Sequence, residues 1–223
     1  MSWFKQFIYN LPEVAGPKKK RLSFKEKLKW TGIILVLFYT LGMVPLFGLG
    51  QNALSRFEIL STILGASFGS VVSLGIGPIV TASIVLQLLN GSGIVNFDLS
   101  ATEGRKTFQG IQKLLAIFFI VFEGAIYVFM GGLAPPESIG GTVIRGTALF
   151  FQLELILVFQ LILGGIVILF MDEVITKWGF GQGVSLFIAA QVSQQVFIRA
   201  LSFLSPAENP EAFIGAIPEF FRL

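Results

Sequence analysis

The sequence contains no cysteine and no histidine, and these absences remove several classes of chemistry at once. Without Cys there is no thiol nucleophile, no disulfide and no thiolate metal ligand. Without His there is no imidazole acid or base and no Cys/His zinc site. No cofactor is expected. Intramembrane proteolysis also lacks its equipment: a Ser/His dyad and a His-Glu-x-x-His helix need residues the chain does not have. The only two aspartates, Asp98 and Asp172, flank apolar runs instead of lying within them. An enzyme is therefore not expected.

Charge is scarce as well. Asp, Glu, Lys and Arg make up 13% of the 223 residues, where a soluble domain carries about a quarter. The composition is 54% hydrophobic with a mean hydropathy of +0.80, that of a multi-pass membrane protein. A pI near 9.3 invites a nucleic-acid reading. The basic residues are not interleaved with aromatics on one face, however, so nucleic acid is not an expected partner.

What is abundant is apolar length. A membrane helix needs about 20 mostly apolar residues, and four runs approach or exceed that: 28–49, 114–134, 148–171 and 184–204. A fifth, 74–89, reaches only about 24 Å at 1.5 Å per residue, short of a hydrocarbon core of about 30 Å. It follows a Gly- and Ser-rich stretch from Phe57 to Ser70, and the pair reads as a broken membrane helix beside a water-filled cavity. Irregular backbone at bilayer depth survives only where protein or a solvated cavity covers it.

These runs divide the chain into a cytosolic segment 1–27, a first span 28–49, an external loop 50–73 and the short span 74–89. A cytosolic loop 90–113, a span 114–134, an external loop 135–147 and a span 148–171 follow. A cytosolic turn 172–183, a span 184–204 and an external tail 205–223 complete the chain. With the N-terminus inside, twelve of the 16 Lys and Arg lie on the cytosolic side, as the positive-inside rule requires. The segment Trp3, Phe4, Phe7, Ile8, Leu11 reads either as an interfacial amphipathic helix or as a mobile tail. The first apolar run is too long for a cleaved signal peptide and is expected to remain as an anchor.

Phe57 to Ser70 places Phe57, Ile59, Leu60, Ile63, Leu64 and Phe68 among small residues, a pattern for a short helix. Gly65 and Gly69 allow close backbone approach, and a plain surface helix is the other reading. Gly75, Gly77 and Pro78 mark the break: Pro suits a first helical turn, where its missing N–H costs nothing. A dinucleotide loop is excluded for these glycines and for Gly179-x-Gly181-x-Gly183, since no strand precedes either. Glu123 and Glu154 lie within the third and fourth spans, 114–134 and 148–171, with Gln112, Gln152 and Gln160 as candidate amide partners. They serve either as a proton or ion relay or as hydrogen-bonded carboxyls joining helices. Discontinuous helices and inverted repeats serve ion-coupled secondary transporters too, which leaves half of one as a rival reading.

The run Gly75-Ile76-Gly77-Pro78-Ile79-Val80-Thr81-Ala82-Ser83-Ile84-Val85-Leu86-Gln87-Leu88-Leu89 resembles the second transmembrane helix of the SecY family, in its archaeal form. That family supplies the pore subunit of the Sec protein-conducting channel. Leu11-Pro12-Glu13-Val14, Phe24-Lys25-Glu26-Lys27-Leu28-Lys29-Trp30, Phe108-Gln109-Gly110-Ile111-Gln112-Lys113-Leu114, Met171-Asp172-Glu173-Val174 and Gly179 to Ala190 resemble further family segments, in family order. The resemblance implies an all-α membrane protein holding five transmembrane helices, one preceded by a short re-entrant plug helix. These would form half of a ten-helix inverted-repeat channel.

It further implies a pore ring including Ile76, Val80, Val184 and Ile188, and a plug formed by Phe57 to Gly69. An apolar constriction dewets and blocks ions, while flexible aliphatic side chains conform to a passing polypeptide. The implied partners are a SecE-like subunit, a small beta subunit, the C-terminal half of the channel and an unfolded or nascent polypeptide. A ribosome or other translocation driver and membrane lipids complete the set. The implied location is the cell membrane, with the N-terminus cytosolic and the end of this chain external.

Overall fold

Helix α1, Phe24–Gly42, starts where a capping box sets it. The Ser23 hydroxyl accepts the Glu26 N–H at 3.3 Å and the Glu26 carboxylate accepts the Ser23 N–H at 3.1 Å. This satisfies end groups that a helix otherwise leaves unpaired. The helix thus begins four residues ahead of the apolar run, and its buried face, Thr31, Ile34 and Phe38, packs on a later helix, α4 (Ala148–Trp178). Between them come α2, Gly77–Gly91, and α3, Thr102–Phe129. Then follow a hairpin of β1, Ser138–Ile139, with β2, Thr142–Val143, and after α4 the helices α5, Gly183–Leu201, and α6, Ala216–Arg222. This structure is a computed structural model that describes residues 6, 10–17, 22–50, 69–203, 213 and 215–222. The plug positions Phe57, Ile59, Leu60, Ile63, Leu64, Gly65 and Phe68 lie outside the described residues.

Among the described residues, α3, α4 and α5 are long and apolar enough to cross a membrane, and α2 is a shorter apolar helix. The 28 residues of α3 and 31 of α4 extend about 42 and 46 Å. Both exceed a hydrocarbon core of about 30 Å, so both continue beyond the apolar runs, α3 from Thr102 and α4 to Trp178. The hairpin turns at Gly140 and Gly141, both at positive φ, which a two-residue hairpin loop demands.

The chain divides into two units, Met1–Val184 and Ser185–Leu223. In the first, α2 packs on α3 and α3 on α4, around a core of Leu46, Leu74, Ile120, Val128, Leu133, Leu157 and Leu161. Glycines set how closely these parts approach. A Cβ on Gly165 would lie 2.6 Å from Ile120 Cγ2, and one on Gly124 would lie 3.6 Å from Leu161 Cβ. Small residues at crossings replace the driving force that helices in lipid lack.

In the second unit the chain leaves α5 through Ser202, whose carbonyl accepts the Gly215 N–H at 2.9 Å. Phe203 meets Phe213 edge-on at 6.2 Å. The Arg222 guanidinium beside Glu219, aided by the Phe213 N–H, holds its carboxyl down at about 2.

Gly165→Ala is expected to destabilise the protein by roughly 1–3 kcal/mol, the usual cost of overpacking. At Gly32, where a Cβ would meet nothing within 4 Å, Ala should be neutral or stabilising by up to about 1 kcal/mol. Thermal unfolding of the detergent-solubilised protein measures both.

Candidate functional site

Only part of the α2 surface is packed. Ile79, Ala82 and Leu86 form its buried stripe with Pro78, while Ile76 and Val80, one turn apart, are half-buried on a different line of the helix. Gly75, at φ +56, and Pro78 in the first turn break the chain ahead of this helix. The expected start at Leu74 therefore moves to Gly77, and Ile76 becomes the N-cap. Both amides of the opening turn, Ile79 N–H and Val80 N–H, donate to the Ile76 carbonyl at 3.1 and 3.0 Å.

Much of the described irregular backbone ahead of α2 is hydrogen-bonded within the protein. Leu46 N–H donates to the Gly69 carbonyl at 2.8 Å and Val71 N–H to the Val44 carbonyl at 3.0 Å, an isolated antiparallel bridge. Ser73 N–H donates to the Ser70 carbonyl at 3.0 Å and Gly75 N–H to the Val72 carbonyl at 2.8 Å. The Ser70 hydroxyl accepts the Val72 N–H at 3.2 Å. Gln160 of α4 completes the set: its amide oxygen accepts the Phe47 N–H at 2.9 Å and its NH2 donates to the Phe47 carbonyl at 3.0 Å. The expectation of Gln160 as a carboxyl partner is thereby corrected, because both ends of its amide are spent on Phe47. Protein groups thus pair much of the described backbone here, as bilayer depth requires.

Glu123 lies on α3 with its carboxyl against the start of α2: a Cβ on Gly77 would be 3.5 Å from Glu123 Oε2. Glu154 is half-buried on α4. Among the described residues no three or more acidic groups cluster as a metal site would require. Val184 opens α5, and its N–H donates to Asp172 Oδ1 at 2.8 Å. A Cβ on Gly183 would fall 2.6 Å from the same carboxylate oxygen, so this close cap requires glycine. An acidic group at a helix N-terminus is favoured by the dipole. Ile76, Val80 and Val184 belong to the first unit and Ile188, 43% exposed, to the second.

Sequence reasoning missed a clasp at the other end of α3 and α4. Residues 12–15 lie across it as a strap. Lys113 binds both the Glu173 carboxylate and the Pro12 carbonyl, and Val14 N–H donates to Glu173 Oε2 at 2.9 Å. Lys177 binds the Glu13 carboxylate and the Val14 carbonyl, the latter at 2.6 Å, and Trp178 Nε1–H donates to the Ala15 carbonyl at 2.9 Å. Trp30 packs on Trp178 at 5.5 Å and Phe24 on Phe180 at 5.1 Å, tying α1 to the same place. The signal was present in Leu11 to Val14 and Met171 to Val174, but nothing local says that these two motifs meet.

Lys113 and Glu173 are 11% and 16% exposed, so the pair is shielded from water. Lys113→Met is expected to cost about 3–5 kcal/mol by stranding a carboxylate, and adding Glu173→Gln should recover most of it; chemical unfolding of the single and double variants tests this. The Lys177 hydrogen bond holds the Glu13 carboxyl below its ordinary range. A depressed folded-state pKa means the contact contributes above the unfolded value of about 4.3 and fades as pH falls through the folded one. At 68% exposure of Glu13 it is worth about 1 kcal/mol or less. A spin label on Gly16→Cys, where a Cβ meets nothing, should gain mobility below about pH 4, and Glu13→Gln should remove that dependence.

Comparison with known proteins gives this geometry its context. The SecY family model matches residues 70–221. The protein translocase subunit SecY of Methanothermobacter thermautotrophicus is 47% identical over 99% of this chain and 45% of its own length. A SecY structure described for how its plug domain stabilises the closed translocation channel and maintains a membrane seal superposes with a TM-score of 0.73. It is 40% identical and covers 87% of this chain and 41% of that one. Sec61 in the canine ribosome-channel complex from the endoplasmic reticulum gives 0.70 at 40% identity, over 87% and 42%. The chain thus spans a little under half the length of the relatives it matches, and its helical fold is that of a multi-pass membrane channel. On these matches the chain belongs to the SecY family.

Proposed function

We propose that this chain forms part of the pore of a protein-conducting channel, passing unfolded secretory polypeptides across the membrane and apolar segments sideways into lipid. The observation that carries the reading is the match to a protein translocase subunit along 99% of the chain at 47% identity. The relatives named above are a protein translocase subunit, a translocation channel and a ribosome-channel complex, and none of them favours the ion-coupled transporter. Nor do they favour an enzyme.

Ile76, Val80, Val184 and Ile188 are the proposed ring. Three features support the α2 pair: one-turn spacing, partial exposure, and a place outside the buried stripe. Aliphatic side chains on one line of a helix repel water and ions yet make no lasting bond with a passing chain. Phe57 to Gly69 is the proposed plug, and Gly75, Gly77 and Pro78 the break that lets α2 begin part-way through the bilayer. The five spans and their loops are proposed as the sequence places them, in the cell membrane, with the N-terminus cytosolic and residues 205–223 external. The part of the relatives that lies outside the match, a SecE-like subunit and a small beta subunit are the proposed assembly partners. A ribosome or other driver would supply the polypeptide.

Glu123 and Glu154 are proposed to join helices, Glu123 at the α2 start. These 223 residues contain no native Cys, so Ile76→Cys is the single attachment point within them. In the assembled channel it should crosslink to a stalled translocating polypeptide, while a Cys at Gly16 should not. An actively translocating channel in which Ile76→Cys never crosslinks would refute the pore reading.

A further inference from the structure

A helix that contributes no ring residue, α4, holds the backbone on which Ile76 depends. Gln160 and Gly164 are one turn apart on α4 and therefore share a face. Gln160 takes both polar groups of Phe47, at 2.9 and 3.0 Å. Gly164 receives the chain at Val71 so closely that a Cβ there would lie 1.8 Å from the Val71 carbonyl oxygen and 2.9 Å from its carbon. Phe47 and Val71 are in turn bound together through the bridge at Leu46–Gly69 and Val44–Val71. From Val71 the chain reaches Ile76 in five residues of hydrogen-bonded turns, with Leu74 buried in the core and its Cδ1 3.7 Å from where Gly124 would carry a Cβ.

We propose that Gln160 and Gly164 are positioning residues of the constriction: α4 fixes the irregular backbone 44–47 and 69–76, and thereby the place of Ile76 in the resting channel. This rests on the reading of Ile76 as a ring residue. A Cβ at position 164 meets a backbone carbonyl, which has no rotamer to escape through, so the turn must lift from α4. An apolar side chain at 160 leaves the Phe47 N–H and C=O without the Gln160 amide at bilayer depth, and such groups then seek water or a new partner. Either change moves the root of α2 while leaving every ring side chain intact.

The test uses the complete channel in lipid vesicles, with Ile76→Cys as the reporter and a membrane-impermeant thiol reagent as the probe, alongside the ion leak per channel. Gly164→Ala and Gln160→Leu should each raise the resting labelling rate about tenfold and raise the leak with it. If both variants assemble normally and leave labelling and leak at the unaltered level, the proposal is overturned; lower melting temperature alone would mark the two residues as structural only. Gln160→Leu keeps the test decisive if Gly164→Ala does not fold, since a leucine is at home in an apolar helix. A polypeptide arrested in the otherwise unaltered channel should protect Ile76→Cys from the reagent. Without that protection the ring reading itself fails, whereas protection together with unresponsive variants defeats only the positioning role.

Discussion

Backbone amides and carbonyls that leave a helix inside a bilayer must be paired by protein, and this one constraint organises the first unit of the chain. The connection into α2 is irregular for many residues, with Gly69 and Gly75 at positive φ, and no lipid group can satisfy it. The molecule answers with a short antiparallel bridge, a serine hydroxyl, a sequence of tight turns and the side-chain amide of Gln160 acting as a substitute for a neighbouring strand. Gly164 contributes by having no side chain, so the backbone can lie directly on α4. A shortened α2 follows, and with it two aliphatic side chains placed part-way along the unit, off the packed stripe.

The same helices are held differently at their polar ends. There α3 and α4 run past the apolar segments, and charged residues take over from glycine contacts: Lys113, Glu173 and Lys177 bind the strap of residues 12–15, and Trp178 joins both the strap and Trp30. The core of the unit is thus clasped at one end by electrostatics and seated near its middle by close packing.

Much of this was readable from composition and pattern. Apolar length marked the helices, and the motif around Gly75 to Leu89 led to the family. The break was visible because Gly75 and Pro78 act locally, through a positive φ and a missing N–H. Gln160 was noticed for the wrong reason. An amide in an apolar run signals a buried polar partner, but that partner is Phe47, 113 residues away, and a backbone group leaves no trace in the sequence. Gly164 and Gly165 looked like any glycines in a membrane helix; which of them meets a carbonyl and which a side chain depends on how α2, α3 and α4 cross. The strap was hidden for the same reason, since Glu13, noted only within a family-like motif, and Lys177, noted only as a topology signal, are remote in the chain. Helix ends moved where capping decided them, as at Ser23, or where charged residues prolonged a helix past the bilayer, as at Asp172 to Lys177.

The most direct measurement is amide hydrogen exchange of the channel embedded in a lipid disc, read at Leu46, Phe47 and Val71. If the irregular backbone is paired and seated on α4, these three amides exchange slowly, with protection comparable to that in the middle of α4, even though none lies in a helix. Exchange as fast as that of the exposed hairpin at Gly140 and Gly141 would contradict the account, because the backbone leading to Ile76 would then be solvated and α4 would not be holding it.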